Sequence, residues 1–344
     1  MTAGLIDVAP DAPAEQRLRA VLAFGIGVAA SVMHFYFNIV GTLPMLTMTT
    51  WHFALIGALG LIALPAFTAR TDAGRRTALL IDLTLALLVV SASIYIWAAE
   101  DTVARRGYDL FLNDWIAAVV VIVLGLERTR RTTGWVMPIL ATVAFTYVTL
   151  WGPWIDGTFF FVGLPWESAV RRSIYTDEGM FGIIANISVR VVALFILLGA
   201  FLEVSGAAQA VIDVARALVG RITGGPGFVA VTASGMMGTI SGSAAANTAG
   251  TGCITIPLMK KAGFKPKFAA GVEAAASTGG QLTPPIMGAG VFVMASITGV
   301  PYVDLIAVAA LPALLYFLSV AFWIRIEAKK HGVGAGDSDA PPIM

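Results

Sequence analysis

The sequence predicts an all-α polytopic membrane protein containing one re-entrant helical hairpin and one discontinuous transmembrane helix. Three observations carry that fold class. Of 344 residues, 58% are hydrophobic and 12% charged, about half the roughly 25% charged of a soluble domain. The apolar segments are continuous runs near the 20 or so residues that cross a bilayer as a helix, without the alternation of a transmembrane barrel. The Lys and Arg residues gather in the links between alternate runs, as they do on the cytoplasmic side of membrane proteins.

Residues 1–16 form a polar tail rich in Ala, Pro and Asp, and the first apolar run is too long for a cleavable signal peptide. Spans at 20–40, 51–68, 78–97 and 113–126 make a four-helix membrane domain over 17–132. Asp82 lies near a span end, where it faces the interface or a partner helix. ERTRRTTG, 127–134, is a basic linker, and a second region runs from 133 to 331 with spans at 133–151, 180–202 and 303–324. The link 153–178 carries FFFVGLPW, an aromatic cluster suited to the membrane interface, and most Trp residues sit at span ends as anchors. Residues 206–222 read as a surface helix with Gln209, Asp213 and Arg216 on one side, closed by GGPG at 224–227. The tail 332–344 is polar and reads as disordered.

With the N-terminus cytoplasmic, every basic cluster falls inside except Arg105, Arg106, Arg171 and Arg172, with Arg190 inside a span. That pattern survives only if 227–260 enters and leaves on one side. A single crossing would move Lys260, Lys261, Lys265 and Lys267 outside and flip every later link.

The turn of that hairpin is TISGSAAANTAGTG, 239–252, mostly Gly, Ala and Ser with scattered oxygens. Irregular backbone at membrane depth is tolerated only where it is buried in protein or lines a cavity. Transporters use such breaks for substrate and coupling ions, because helix ends expose N–H groups to anions and carbonyls to cations. In SGSAAAN, 241–247, Gly242 permits unusual backbone angles, and Ser241, Ser243 and Asn247 supply neutral oxygens suited to Na+. In STGGQLTPP, 277–285, Gly279 and Gly280 are expected to end an Ala-rich helix, 268–276, with positive φ. Pro284 and Pro285 then fit the first turn of the next helix. The two breaks, with Thr278 and Thr283, make one candidate cation site. The competing reading is helix packing through small residues, which the GxxxG spacing of Gly238 and Gly242 also fits.

Glu273, one turn before the second break, is either a proton-coupling carboxylate or a hydrogen-bonded structural one. Arg190 pairs either with an anionic substrate or with a structural carboxylate. His34 reads as a packing histidine. The three scattered histidines and single cysteine, Cys253, give no metal site or internal disulfide, and a net charge of +1 gives no nucleic-acid footprint. With no Ser/His pair at membrane depth, no HExxH and no paired aspartates in spans, an enzyme is not expected.

GTISGSAAANTAGTGCITIPLMKKAGF, 238–264, followed by FAAGVEAAASTGGQLTPPIMGAGVFVMA, 268–295, resembles the large membrane subunit of TRAP transporters. VALFILLGAFLEVSG, 192–206, and GVPYVDLIAVAALPALLYF, 299–317, extend the likeness over 133–331. It looks closest to fused permeases that work with TAXI-type periplasmic binding proteins, and 17–127 looks like their fused small four-helix subunit. The resemblance implies an elevator-type secondary transporter of the bacterial inner membrane that imports a small organic anion coupled to Na+, or in some TAXI-type members to H+. It places a Na+ site beside the substrate, which maps onto 241–247 and 278–285, through Ser241, Gly242, Ser243, Asn247, Thr278, Gly279, Gly280 and Thr283. Glu273 is the candidate for H+ coupling, and Ser243, Asn247, Pro284 and, by its charge, Arg190 are the candidates for the substrate. The large subunit has two inverted repeats, and the sequence shows one hairpin and one broken helix. The chain therefore reads as a fragment, a truncated reading frame or one piece of a split permease, with the second half of the large subunit as a partner if split, and it is not expected to transport by itself. A structural or assembly subunit without transport activity is the alternative.

Overall fold

The computed structural model describes residues 12–41, 43–285 and 287–334. Among them there are helices and no strands. Six helical segments are long and apolar enough to cross a membrane: Ala14–Ile39, Met45–Ala63, Asp72–Arg105, Val136–Trp154, Ile183–Leu202 and Tyr302–Lys330. The chain divides into two compact units, Met1–Arg190 and Val191–Met344.

The first unit opens with α1 (Ala14–Ile39), α2 (Met45–Ala63), α3 (Asp72–Arg105) and α4 (Leu112–Thr133), joined by short links. The predicted tail 1–16 thus turns helical at Ala14, and its first eleven residues lie outside the described residues. Local chemistry sets the helix ends. Thr71 caps α3 by accepting from the Gly74 N–H at 3.2 Å, satisfying a donor that the first turn leaves free. Asp114 does the same for α4, accepting from the Phe111 N–H at 2.7 Å. Gly134, at φ +80, ends α4 in a conformation that side-chain-bearing residues avoid. The 113–126 span lies within α4, whose basic last turns keep it off the apolar set.

Between the helix ends the bundle is filled by Leu61, Ile96, Ala118, Val121 and their neighbours. Charges close it at each end. Asp82 on α3 is fully buried, and it receives Arg19 of α1 at 2.5 Å and Arg131 of α4 at 2.7 Å. Arg131 also bonds the Leu61 and Leu64 carbonyls and Glu127. At the other end Asp114 on α4, also fully buried, receives Tyr95 of α3 at 2.8 Å and Arg106, the residue that caps the end of α3, at 3.2 Å. Asp82 therefore faces partner helices, the second of the two options its position allowed.

The same unit continues past residue 132 through α5 (Val136–Thr146), a π-turn at Tyr147–Trp151, α6 (Trp166–Ile174) and α7 (Ile183–Ile187). Two histidines expected to be scattered meet here. His34 Nδ1 lies 2.6 Å from the Ala30 carbonyl, His34 Nε2 2.7 Å from His52 Nδ1, and His52 Nε2 3.1 Å from Ser188 Oγ. A carbonyl only accepts, so His34 Nδ1 donates to it, His52 Nδ1 donates to His34 Nε2, and the Ser188 hydroxyl donates to His52. The network assigns these hydrogens. A Ser/His pair thus exists where none was expected. Its residues are 136 apart in sequence, and no local pattern announces them. Asn38 donates to the His34 and Val189 carbonyls, so the cluster clasps the 188–189 backbone to α1 and α2.

The second unit holds α8 (Ala193–Val204), α9 (Ala207–Val219), α10 (Gly225–Ser241), α11 (Ala244–Lys261), α12 (Pro266–Gly280), α13 (Ala289–Thr298) and α14 (Tyr302–Lys330). The amphipathic α9 lays Ile212 and Ala215 against Val229 and Ala233 of α10. Helices α10 and α11 form a hairpin through Gly242, at φ +62, and Ser243, whose hydroxyl caps α11 at the Ala246 N–H. Helix α12 packs against both arms. The tail expected to be disordered from 332 begins ordered: Val333 is 3% exposed in the core of this unit, and the Gly334 carbonyl accepts from Gly224. An apolar side chain and a free carbonyl, both with partners, hold it down. Residues 335–344 lie outside the described residues.

Two expectations at the second break are corrected. Gly279 and Gly280 do not take positive φ; α12 runs through both. They are small because neighbours press on them. A Cβ on Gly280 would come within 2.5 Å of Gly238 Cα, and one on Gly279 would meet the Tyr316 ring at 2.5 Å. Pro284 and Pro285 lie in the connection, and α13 begins four residues later at Ala289 after Gly288. The sequence of helix, loop and helix stands.

Candidate functional site

Where α10, α11 and α12 meet, six polar side chains form one buried network. Asn247, Thr251 and Thr255 project from α11 at four-residue intervals, which keeps them on one helix face. Glu273 and Ser277 repeat that spacing on α12, and Ser234 comes from α10. Glu273 is fully buried. Its Oε1 accepts from Thr251 at 2.5 Å and lies 3.4 Å from Ser277 Oγ, and its Oε2 accepts from Thr255 at 2.6 Å. Asn247 Nδ2 donates to the Ser234 carbonyl at 2.8 Å and lies 2.9 Å from Ser234 Oγ and 3.1 Å from Ser277 Oγ. The two serine hydroxyls are 2.9 Å apart. Among the described residues no Lys, Arg or His pairs with Glu273.

Hydrogen counting defines what this network can do. Thr251 Oγ1 also lies 2.8 Å from the Asn247 carbonyl, and Thr255 Oγ1 3.0 Å from the Thr251 carbonyl. Each hydroxyl has one hydrogen and two acceptors. With both hydrogens aimed at Glu273, the site serves a carboxylate. With one of them turned to its carbonyl, that hydroxyl receives the single hydrogen of a carboxylic acid while the other still donates to the acid's second oxygen. The oxygens touch one another at hydrogen-bond distance, so no gap for a metal ion separates them.

The hairpin turn and the helix break also meet. Gln281 Nε2 donates to the Gly242 carbonyl at 3.0 Å, and Gly238 and Gly280 pack backbone to backbone. The remaining side chains predicted for a cation make local hydrogen bonds or contacts. Ser243 caps α11. Ser241 lies 3.5 Å from the Ser243 carbonyl. Thr278 and Thr283 each donate to the carbonyl four residues back. Asn247 and Glu273 join the buried network, Pro284 lies in the connection, and Arg190 belongs to the first unit, where its Nε donates to Asn186 Oδ1 at 3.3 Å. Of the small residues, Gly242 makes the turn and Gly238 makes a packing contact, as the helix-packing reading expects. Sequence reasoning missed Ser234, Thr251, Thr255 and Ser277 as site residues. The signal was the four-residue repeat Asn247–Thr251–Thr255 aligned with Glu273–Ser277.

A helical membrane bundle with a hairpin, a broken helix and a carboxyl group buried between them defines a polytopic membrane protein of the interrupted-helix kind. The family model described as "Tripartite ATP-independent periplasmic transporter, DctM component" matches residues 120–343. The chain belongs to that family. It is 31% identical over 158 residues to the sialic acid TRAP transporter large permease protein SiaM of Vibrio cholerae, covering 46% of this chain and 36% of that protein. It is 37% identical over 138 residues to the C4-dicarboxylate TRAP transporter large permease protein DctM of Pseudomonas aeruginosa, covering 40% and 32%. The matches thus span about a third of the length of these relatives.

Proposed function

We propose that the chain is a permease component of a TRAP-type secondary transporter in the bacterial inner membrane, importing a small organic anion by an ion-coupled elevator movement. A periplasmic binding protein, of TAXI type by resemblance, delivers the substrate. Residues 17–132 correspond to the small subunit and 133–331 to part of the large one. The hairpin α10–α11 re-enters from the cytoplasmic side, with the N-terminus on that same side. The observation that carries this reading is the meeting of hairpin and broken helix around Asn247 and Glu273. Intramembrane carboxylates are expensive to bury and default to function.

Na+ is the coupling ion that the resemblance implies, at the hairpin turn and helix break. Glu273 is the group through which H+ would serve instead. Thermal unfolding of the purified full chain, run against Na+ at fixed pH and against pH without Na+, tests this. A cation-dependent rise in Tm that Asn247→Ala abolishes supports a coupling site. Melting of the unaltered protein that no cation shifts favours the second reading, a structural or assembly subunit, since Asn247→Ala lowers Tm in either case by removing buried hydrogen bonds. What supports that reading is packing: Gly238 and Gly280 meet backbone to backbone, the contact that small residues make between helices.

A further inference from the structure

Helices α4 and α5 diverge from the turn at Gly134 and leave a groove of about 360 Å³ between them. Val123 and Leu126 form one wall, and Pro138, Ile139 and Val143 the other. The outer faces of both helices are apolar and exposed, Ile116 and Val119 on α4 and Val136 and Leu140 on α5. The groove therefore opens onto the surface that a bilayer covers. Its walls offer nothing to a water-soluble ligand.

The mouth has different chemistry. Arg130 uses Nε and Nη2 on Glu127, at 2.7 and 2.8 Å. Its Nη1 has no partner among the described residues, and its guanidinium sits 5.3 Å from the centre of the Trp135 ring. Trp135 is 64% exposed. Glu127 cannot neutralise this mouth alone, because Arg131 holds the same carboxylate at 2.7 Å. Hydrogen bonds from Arg130 first, and from Arg131, hold the Glu127 carboxyl down to about 2, so it remains an anion already shared by two cations. The whole bundle end is positive: Arg17, Arg19, Arg70, Arg75, Arg76 and Arg128 join these two against Glu15, Asp72, Asp82 and Glu127.

We propose that an anionic phospholipid occupies this groove, with its phosphate on Arg130 and Trp135 and one acyl chain between α4 and α5. A basic mouth, an interfacial indole and an apolar trough are the three parts such a lipid recognises. A soluble anion would use the mouth and leave the trough empty. This site lies apart from the buried network and does not depend on the transport reading.

The test is native mass spectrometry of the full chain titrated with phosphatidylglycerol, phosphatidylethanolamine or inorganic phosphate. The expected result is one tightly retained phosphatidylglycerol, held better than phosphatidylethanolamine and not displaced by phosphate. Arg130→Gln should weaken phosphatidylglycerol roughly fivefold, the factor one basic residue contributes near an anionic lipid, and leave phosphatidylethanolamine nearly unchanged. Thr142→Phe, which fills the trough without touching a charge, should weaken both lipids. Equal retention of the two lipids by the unaltered protein overturns the proposal, as does displacement by phosphate. So does full phosphatidylglycerol binding by Thr142→Phe.

Discussion

At the scale of single residues, the buried carboxyl groups dominate. Thr255 is the sole hydrogen-bond donor to Glu273 Oε2 among the described residues. Thr255→Val keeps the shape and removes that donor. Leaving one buried acceptor unsatisfied costs about 1–3 kcal/mol, so the melting temperature of the purified protein should fall, and fall less for Thr248→Val outside the network. Asp82→Ala should be more damaging. It removes the shared acceptor of Arg19 and Arg131, and Arg131 is 2% exposed. Stranding one member of a buried pair costs about 3–5 kcal/mol, which a denaturation series would register as a large drop or as failure to fold. Glu127 contributes a pH term. Its folded value of about 2 lies below the ordinary carboxylate range. The contribution is therefore complete above pH 5 or so and disappears as pH falls toward 2. In a melting series across that window, Glu127→Gln should show a flatter acid limb than the unaltered protein.

At the scale of elements, glycine placement separates contact from permissiveness. Gly280→Ala would drive a methyl against the Gly238 backbone, where nothing flexible can yield. Overpacking of this kind costs about 1–3 kcal/mol. Gly250→Ala, with nothing within 4 Å, should instead be neutral or stabilise by about 0.4–1 kcal/mol. Comparing the two melting curves checks whether α10 and α12 pack as described. The hairpin, the broken helix and the helix within 206–222 were legible because Gly, Pro and periodicity are local signals. The end of α12 was misplaced because Gly279 and Gly280 answer to Gly238 and Tyr316, residues distant in sequence. The site was half legible for the same reason. Glu273 and Asn247 stand out as polar groups in an apolar stretch, whereas Ser234 and Ser277 acquire meaning only when three helices meet. The His34–His52–Ser188 clasp is legible at no level short of the fold.

At the scale of the whole molecule, the hairpin reading becomes a statement about sides. Against a Cys253→Ser background, single cysteines at 132 and at 263 should react with a membrane-impermeant thiol reagent from the same side, and one at 107 from the opposite side. Labelling of 132 and 263 from opposite sides would mean that 225–261 crosses the bilayer once. The first unit also carries a mechanical consequence of its two buried aspartates. At one end the carboxylate of α3 grips an arginine of α4; at the other, the carboxylate of α4 grips a tyrosine of α3 and the arginine that caps its end. Asp114 and Arg131 are separated by about 26 Å of helix at 1.5 Å per residue. Sliding α3 along α4 by one turn would open both grips together, while rotation or outward bowing would load them unequally. The pair is thus braced most strongly against sliding along the axis that the two helices share.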